Sequence, residues 1–135
     1  MSASAPVIEM EIPPRAEFVR TVRLVVAGIS GVARFNLEQI EDLKLAAGEA
    51  CYAALPGLQA RQAPIRLSAR VLPEGVELRV GPVLTADPSP DWPVPDSRVG
   101  LALAERVVDE LSLESLEDGS WIRIFKARRH PGSAV

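Results

Sequence analysis

Few side chains in this sequence are of the kinds that carry out chemistry, and the best placed of them is Glu49. It lies in residues 37–55, where apolar residues recur at helical spacing. That geometry turns Glu49 away from the apolar seam, toward the side that carries Ala53 one turn later. A carboxylate there can act as a general base if a proton lies within hydrogen-bond reach. The alternative is a solvated glutamate, since charged residues usually lie outside.

The sequence has one cysteine, Cys51, and one histidine, His130. A single cysteine excludes an internal disulfide and a cysteine zinc cluster. Because Cys51 lies on the apolar seam, we expect it to be buried and inert. A lone histidine in the C-terminal tail predicts no site, so we expect no metal held by protein ligands alone.

Composition narrows the class of protein. The 135 residues suit one domain with a hydrophobic core, and the contents of 47% hydrophobic and 24% charged residues are ordinary. A net charge of -3 argues against direct nucleic-acid binding, which needs excess basic charge. No apolar run approaches the roughly 20 residues that span a bilayer. With no signal peptide recognisable, we expect a cytoplasmic protein without a membrane anchor.

Three segments have the spacing of amphipathic helices. The first is expected over residues 17–30. The second is expected to begin at Asn36, an N-cap with Gln39 as its capping-box partner, and to stop at Pro56-Gly57. The third is expected over residues 98–111.

Residues that alternate between apolar and polar mark the strands. Strands are expected at residues 7–12, 65–72, 76–80, 113–116 and 120–126. Pro73-Glu74-Gly75 and Asp118-Gly119 are turn signals, so the last four strands should form two hairpins. Arg66, Arg70 and Arg79 lie on the polar faces and are expected to be solvated.

Residues 83–97 read as a proline-rich, extended linker, and its Trp92 either anchors it to the core or contacts a partner. Residues 1–6 and 127–135 read as loose tails of a single domain. The order strand, helix, helix, hairpin, helix, hairpin predicts an α+β fold. We expect a two-layer α/β sandwich, with a mostly antiparallel mixed sheet and three main helices on one face.

Residues 36–55 and the segment Gly100-Leu101-Ala102-Leu103 through Leu111 resemble the bacterial anti-sigma factor serine kinases. These belong to the GHKL (histidine-kinase-like) ATPase superfamily. The resemblance implies the GHKL fold, with ATP and Mg²⁺ as cofactors. It makes Glu49 the general base, and it places Ala53 where the family has an asparagine that binds magnesium.

The resemblance also extends to the other nucleotide motifs. It assigns Gly81 to a position after the first hairpin, although the family's aspartate is missing there and a strand-ending Gly81-Pro82 turn explains the glycine equally well. It assigns Arg98, Gly100 and Leu101 to the start of the third helix, where backbone N–H groups would meet phosphates. Arg98 replaces the first glycine of the family's Gly-x-Gly.

The resemblance further implies a protein partner, a sigma factor or an anti-sigma antagonist, gripped in part by Arg20 and Arg23 of the first helix. Pairing as a homodimer is implied as well. Our leading hypothesis is a regulatory binding protein that acts by partner switching and whose nucleotide site is degraded. The alternatives are a working serine kinase with Glu49 as base, and an interaction domain with no link to sigma factors.

Overall fold

The computed structural model describes residues 5–84, 95–117 and 119–128, with the side chains of residues 95–98 outside that description. Its elements follow the expected order. They are β1 (Val7–Ile12), α1 (Val19–Val32), α2 (Leu37–Arg61), β2 (Ile65–Leu72), β3 (Gly75–Val83), α3 (Pro95–Val107), β4 (Glu110–Leu116) and β5 (Gly119–Ala127). A short 3₁₀ turn, Ala16–Phe18, leads into α1. The predictions for Trp92, in the linker, and for His130 concern residues outside this description.

The five strands form one sheet in the order β1-β2-β3-β5-β4. All four pairings between the described strands are antiparallel. The β2–β3 hairpin closes with Leu72 opposite Gly75, as the turn signal predicted. The helices cover one face of this sheet, so the predicted α+β two-layer sandwich is confirmed.

The core lies between the helices and the sheet face that they cover. Alternate residues of three central strands point into it, among them Leu67, Leu78 and Ile124. Leu43 of α2 meets them from the helical layer and is fully buried. Burying a leucine or isoleucine side chain contributes roughly 1.5–3 kcal/mol, so this layer supplies most of the stabilisation.

The start of α2 is the one that the sequence predicted. The Asn36 side chain accepts a hydrogen bond from the Gln39 backbone N–H at 2.8 Å, and the Gln39 side chain accepts one from the Asn36 N–H at 2.9 Å. This capping box satisfies two backbone donors that a helix N-terminus otherwise leaves without partners.

The predicted end of α2 at Pro56-Gly57 was wrong, because the helix continues to Arg61 with Pro56 inside it. Proline removes one intrahelical hydrogen bond, but Leu58 in the following turn is fully buried, and its burial offsets that cost. Gly57 is needed at this point. A Cβ there would lie 2.5 Å from the Leu84 carbonyl oxygen, so only glycine lets the end of β3 approach the helix.

The predicted bounds of the third helix were also wrong, since α3 ends at Val107 and Leu111 belongs to β4, where it pairs with Ile124. Lys126 of β5 causes the stop: its ammonium donates to the Val107 carbonyl oxygen at 2.6 Å. The helix buries Ala104 rather than Leu103, which is 49% exposed.

The C-terminal tail begins later than the predicted residue 127. Ala127 is the last residue of β5. The Arg128 guanidinium donates to the carbonyl oxygens of Pro73, Leu72 and Ala33, which fastens it to the β2–β3 turn and to the end of α1. Backbone carbonyls far apart in the sequence hold this arginine, and a local pattern cannot reveal them.

Because Leu58 packs in the core beyond Pro56, its truncation tests the longer helix. Leu58→Ala should lower the free energy of unfolding by about 2–5 kcal/mol. Leu37→Ala is the matched control at an exposed position of the same helix, and its effect should stay within about 0.5 kcal/mol. Urea denaturation followed by circular dichroism measures both. Equal effects would contradict the packing of this last helical segment.

Candidate functional site

The site predicted from the sequence lies where α2 meets α3. Glu49 is half-buried on α2. Its carboxylate lies directly against the backbone of Gly100, because a Cβ added to Gly100 would overlap the Glu49 oxygen Oε2. The structure therefore brings together two residues that lie far apart in the sequence, and Glu49 is not a freely solvated helix side chain. Among the described residues, no hydrogen bond or ion pair is formed by its carboxylate.

Ala53 follows Glu49 by one turn and is only 5% exposed. Its methyl group offers no oxygen atom, whereas Mg²⁺ is bound through carboxylate, carbonyl or water oxygens. Within the described part of the chain, no three histidine, cysteine, aspartate or glutamate residues lie close enough to hold a metal ion. The residues described here thus do not fit Mg²⁺ held in the way that the family holds it.

Gly81 does not join this cluster. It lies within β3, which continues to Val83, so it does not end the strand. A Cβ on Gly81 would lie 3.2 Å from the Trp121 ring and 3.2 Å from the Ser120 carbonyl oxygen. Trp121 is on the sheet face that carries no helices, and the Cβ position of the buried Gly81 points toward it.

The remaining α3 candidates are of two kinds. Leu101 is half-buried and packs against the hydrophobic core, which is a structural role. Arg98 lies in α3, but its side chain is outside the described residues.

The two arginines of α1 have different environments. Arg20 is exposed. Arg23 lies across α2, where a Cβ on Gly48 would be 2.5 Å from its Nε, and its guanidinium sits 5.8 Å from the centre of the Tyr52 ring. The absence of a side chain at Gly48 thus allows Arg23 to contact both helices, while Arg20 is exposed to solvent.

Cys51 is buried beneath this contact, as predicted. Burial raises the pKa of its thiol to about 12, against a smaller opposing effect from the positive charge of Arg23. The thiolate is the reactive form of cysteine, so this residue is chemically inert at neutral pH.

The outer face of α1 is apolar and basic. Leu24 is 66% exposed and follows Arg20 by one turn, on the same side of the helix. Gly28, one turn further, is exposed and has no heavy atom within 4 Å of its Cβ position. Arg20 and Arg23 are the only charged residues of α1, in a chain with a net charge of -3. Leu24 was not singled out from the sequence, although its spacing from Arg20 would have placed it on this face.

The helix-free face of the sheet carries an ionic cluster around Glu77, whose side chain is 8% exposed. Arg123 donates to its carboxylate at 2.9 Å, Arg79 also binds it, and Arg70 lies 3.9 Å away. Arg79 in turn pairs with Glu114 of β4 at 3.0 Å. The expectation that Arg79 is simply solvated was wrong, because the sheet sets it beside Glu77 and Glu114, whereas the Arg70 side chain remains 43% exposed.

Comparison with known proteins identifies the class. The sequence profile of the histidine kinase-like ATPase domain matches residues 12–126, so the chain belongs to this family. The resemblance seen in the helix with Glu49 and in the segment after Gly100 is thereby confirmed. None of the described helices has the length and apolar character needed to cross a membrane.

Individual proteins with the same description are also similar in sequence to this chain. The chain is 31% identical to the serine-protein kinase RsbW of Bacillus licheniformis over 116 residues, which is 83% of this chain and 69% of that protein. It is 45% identical to the RsbW of Bacillus velezensis over 51 residues, covering 38% of this chain and 32% of that protein. A 44-residue stretch is 48% identical to the RsbW of Bacillus cereus, covering 33% and 28% respectively.

The Glu77 cluster makes stability depend on pH. Burial acts to raise the pKa of Glu77, but hydrogen bonds and charges from Arg123 and Arg79 outweigh it, and the pKa is lowered. A carboxyl with a lowered folded-state pKa stabilises the protein above its unfolded pKa of about 4.3 and loses that contribution as pH falls through the folded value. Glu77→Gln should lower the free energy of unfolding by about 1.5–3 kcal/mol at pH 7, because hydrogen bonds to a charged group are weakened, and should flatten the loss of stability in acid.

Urea denaturation at neutral pH and below about pH 4 measures this effect. Glu17→Gln is the matched control, because Glu17 is 62% exposed in a surface pair with Arg15. If Glu77→Gln and Glu17→Gln lower the free energy of unfolding equally, and both keep the pH dependence of the wild type, the carboxylate of Glu77 does not have this role.

Proposed function

We propose that this protein is a regulator of the anti-sigma type that works by binding a protein partner, in a partner-switching system, and does not transfer phosphate. The partner would be a sigma factor or an anti-sigma antagonist. The observation that carries the proposal is the pair Glu49 and Ala53 on α2. The family's carboxylate is kept, but the next turn presents a methyl group in place of a metal ligand.

The chemistry of phosphoryl transfer explains why one missing oxygen matters. Magnesium bridges the phosphate oxygens and offsets the charge that develops during transfer, so its loss weakens catalysis more than binding. Glu49 is held against Gly100, at the position where the family's motif approaches phosphates. The missing oxygen at Ala53 therefore favours a protein whose family fold is kept for recognition.

The outer face of α1 is the surface best suited to the partner. It combines an exposed arginine, Arg20, with the exposed apolar side chain of Leu24 and the flat backbone at Gly28. Arginines beside apolar surface often dominate the binding energy of an interface. Since α1 carries positive charge only, we expect the partner to present an acidic group beside an apolar side chain.

The second candidate is a working serine kinase, and the contact between Glu49 and Gly100 is the observation that favours it. The two residues to which the resemblance gives catalytic and phosphate-binding roles are together in the folded chain. Glu49 would then accept the proton of a substrate hydroxyl, and water would complete the magnesium coordination. The third candidate is an interaction domain whose protein partner has no link to sigma factors.

Nucleotide binding distinguishes the two main candidates. Wild-type protein with millimolar Mg·ATP should show no rise in melting temperature, whereas a dissociation constant one hundredth of the ligand concentration would add about 2.7 kcal/mol and several degrees. Ala53→Asn restores the missing amide oxygen and should give a shift that depends on magnesium. Differential scanning calorimetry with and without EDTA measures both proteins.

Ala53→Ser is the control, because it places a polar group at the same buried position but adds no amide. A shift of several degrees in the wild type would favour the kinase. If Ala53→Asn folds but does not respond, the missing amide is not what prevents nucleotide binding.

The binding role is tested at Arg20. Arg20→Glu should abolish capture of the purified cognate sigma factor or antagonist, because it replaces attraction by repulsion at the expected centre of the interface. Arg61→Glu, an exposed arginine in the last turn of α2, is the matched charge reversal and should leave capture unchanged. Surface plasmon resonance gives the affinities. Equal binding by both variants would remove α1 from the interface.

A further inference from the structure

The corner between α1 and α2 carries an exposed apolar surface. Its two apolar residues, Val32 and Leu37, are each 73% exposed, the highest value among the large apolar side chains of the described residues. Arg34 lies between them in the sequence and is exposed as well. Apolar surface around an arginine is typical of a protein-binding site, whereas a single exposed apolar residue needs no explanation.

The backbone of Arg34 has a conformation that an arginine rarely adopts. α1 ends in a Schellman motif: the Arg34 N–H donates to the Gly31 carbonyl oxygen at 3.0 Å, and the Phe35 N–H donates to that of Ser30 at 3.0 Å. The φ of Arg34 is 62°, in the left-handed region. Glycine is the usual residue at this position, because a Cβ makes the conformation unfavourable. Arg34 therefore makes the folded chain less stable than glycine would.

The strain alone does not indicate a site, because Gln62 at the end of α2 has a similar φ of 53°. The exposed residues just before Gln62 are polar or small, namely Gln59, Ala60 and Arg61. Arg34, in contrast, lies between the two most exposed apolar residues. Strained backbone is often found at functional sites, and the surroundings of Arg34 point to recognition of a partner.

The charges at the corner leave Arg34 able to bind an acidic group. With the residues in 5–84, 95–117 and 119–128, its side chain forms no hydrogen bond and no ion pair. Two exposed acidic residues lie nearby, Glu38 in the first turn of α2 and Glu74, whose carbonyl oxygen accepts from the Arg128 N–H. Neither carboxylate is paired with Arg34. The Arg128 guanidinium, which donates to the Ala33 carbonyl oxygen, adds a second positive charge.

The corner is also held in place from both sides. Phe35 is buried in the core, the capping box at Asn36 fixes the start of α2, and Arg128 fastens the end of α1. A surface that is already ordered loses less conformational entropy when a partner binds.

We propose that this corner, formed by Val32, Arg34 and Leu37, receives an acidic side chain of the partner protein that is flanked by apolar residues. The guanidinium of Arg34 binds the carboxylate, and the two apolar side chains contact its neighbours. The inference rests on the proposed function, because it extends the partner-binding surface from Arg20 to the other end of α1, roughly 18 Å along the helix axis.

The probe is the peptide acetyl-Gly-Leu-Asp-Leu-Gly-amide, compared with acetyl-Gly-Leu-Lys-Leu-Gly-amide. Each is titrated into ¹⁵N-labelled full-length protein and followed by NMR. The acidic peptide should shift the amides of residues 32–38 saturably and leave those of β1 and β4 unchanged. The basic peptide should cause no saturable shift. Raising NaCl from ~50 to ~500 mM should weaken the binding, because salt screens a charge pair at the surface.

The strained backbone supplies a test that separates binding from structure. Arg34→Gly should raise the melting temperature by about 2–4 °C, because glycine adopts the left-handed conformation freely, and should weaken binding of the acidic peptide at least fivefold. Gln62→Gly is the matched control: it should raise the melting temperature similarly and leave binding unchanged. Arg34→Lys keeps the charge and the strain, and should weaken binding less than Arg34→Gly. Differential scanning calorimetry and the NMR titrations measure the two effects.

Four results would overturn the proposal. They are the absence of saturable binding by the acidic peptide, equal binding of the two peptides, and an Arg34→Gly variant that binds as tightly as the wild type. The fourth is a concentration-dependent dimer of the wild type in which the amides of residues 32–38 shift without peptide, since a second copy would then be the occupant.

Failure of the proposed function has a different signature. If the acidic peptide binds at the corner in the predicted way but Arg20→Glu leaves capture of the sigma factor or antagonist unchanged, the corner stands as a binding site and the role of Arg20 does not.

Discussion

The close packing of α2 on its neighbours is the constraint on which the rest of the structure depends. Small residues line the buried side of this helix, including Ala46, Ala47, Ala50 and Ala54, and all are nearly or fully buried. Because they lack long side chains, the sheet, α1 and α3 can all approach the helix closely. Gly48 continues this pattern toward α1, where it admits the guanidinium of Arg23. The positions of Glu49 and Arg23 follow from this packing.

The residues that suit the packing of α2 are not all residues that the chemistry of the family uses. Glu49 lies directly against Gly100 where α3 packs on α2, and Ala53 is buried one turn further along α2. A small residue at position 53 suits this buried place, and its side chain has no oxygen atom that could bind a metal ion. Membership of the histidine kinase-like ATPase family therefore defines the fold of this chain, while its activity depends on individual atoms at the site.

Charge is distributed unevenly over the remaining surface. The charged residues of α1 are all basic, whereas the helix-free face of the sheet is internally neutralised around Glu77. A buried carboxylate bound by arginines from its own and a neighbouring strand fixes the positions of those side chains and keeps them from attracting other groups. The outer face of α1 therefore remains able to select a partner by charge.

The sequence by itself determined the features that depend on neighbouring residues. The capping box of Asn36 and Gln39 uses atoms three residues apart, and the alternation in Ile65–Leu72 follows from the geometry of a single strand. Local patterns therefore sufficed for the order of the elements, the antiparallel α+β class, and the motif that carries Glu49.

Only the tertiary structure decided the features that depend on residues distant in the sequence. The turn after Pro56 stays helical because Leu58 enters a core built by other elements, and α3 stops where Lys126 of β5 meets its last carbonyl. The different roles of Arg20 and Arg23 likewise depend on where Gly48 comes to lie. Local preferences are worth about 1 kcal/mol or less per residue, whereas burying one large apolar side chain contributes more, so packing decides wherever the two disagree.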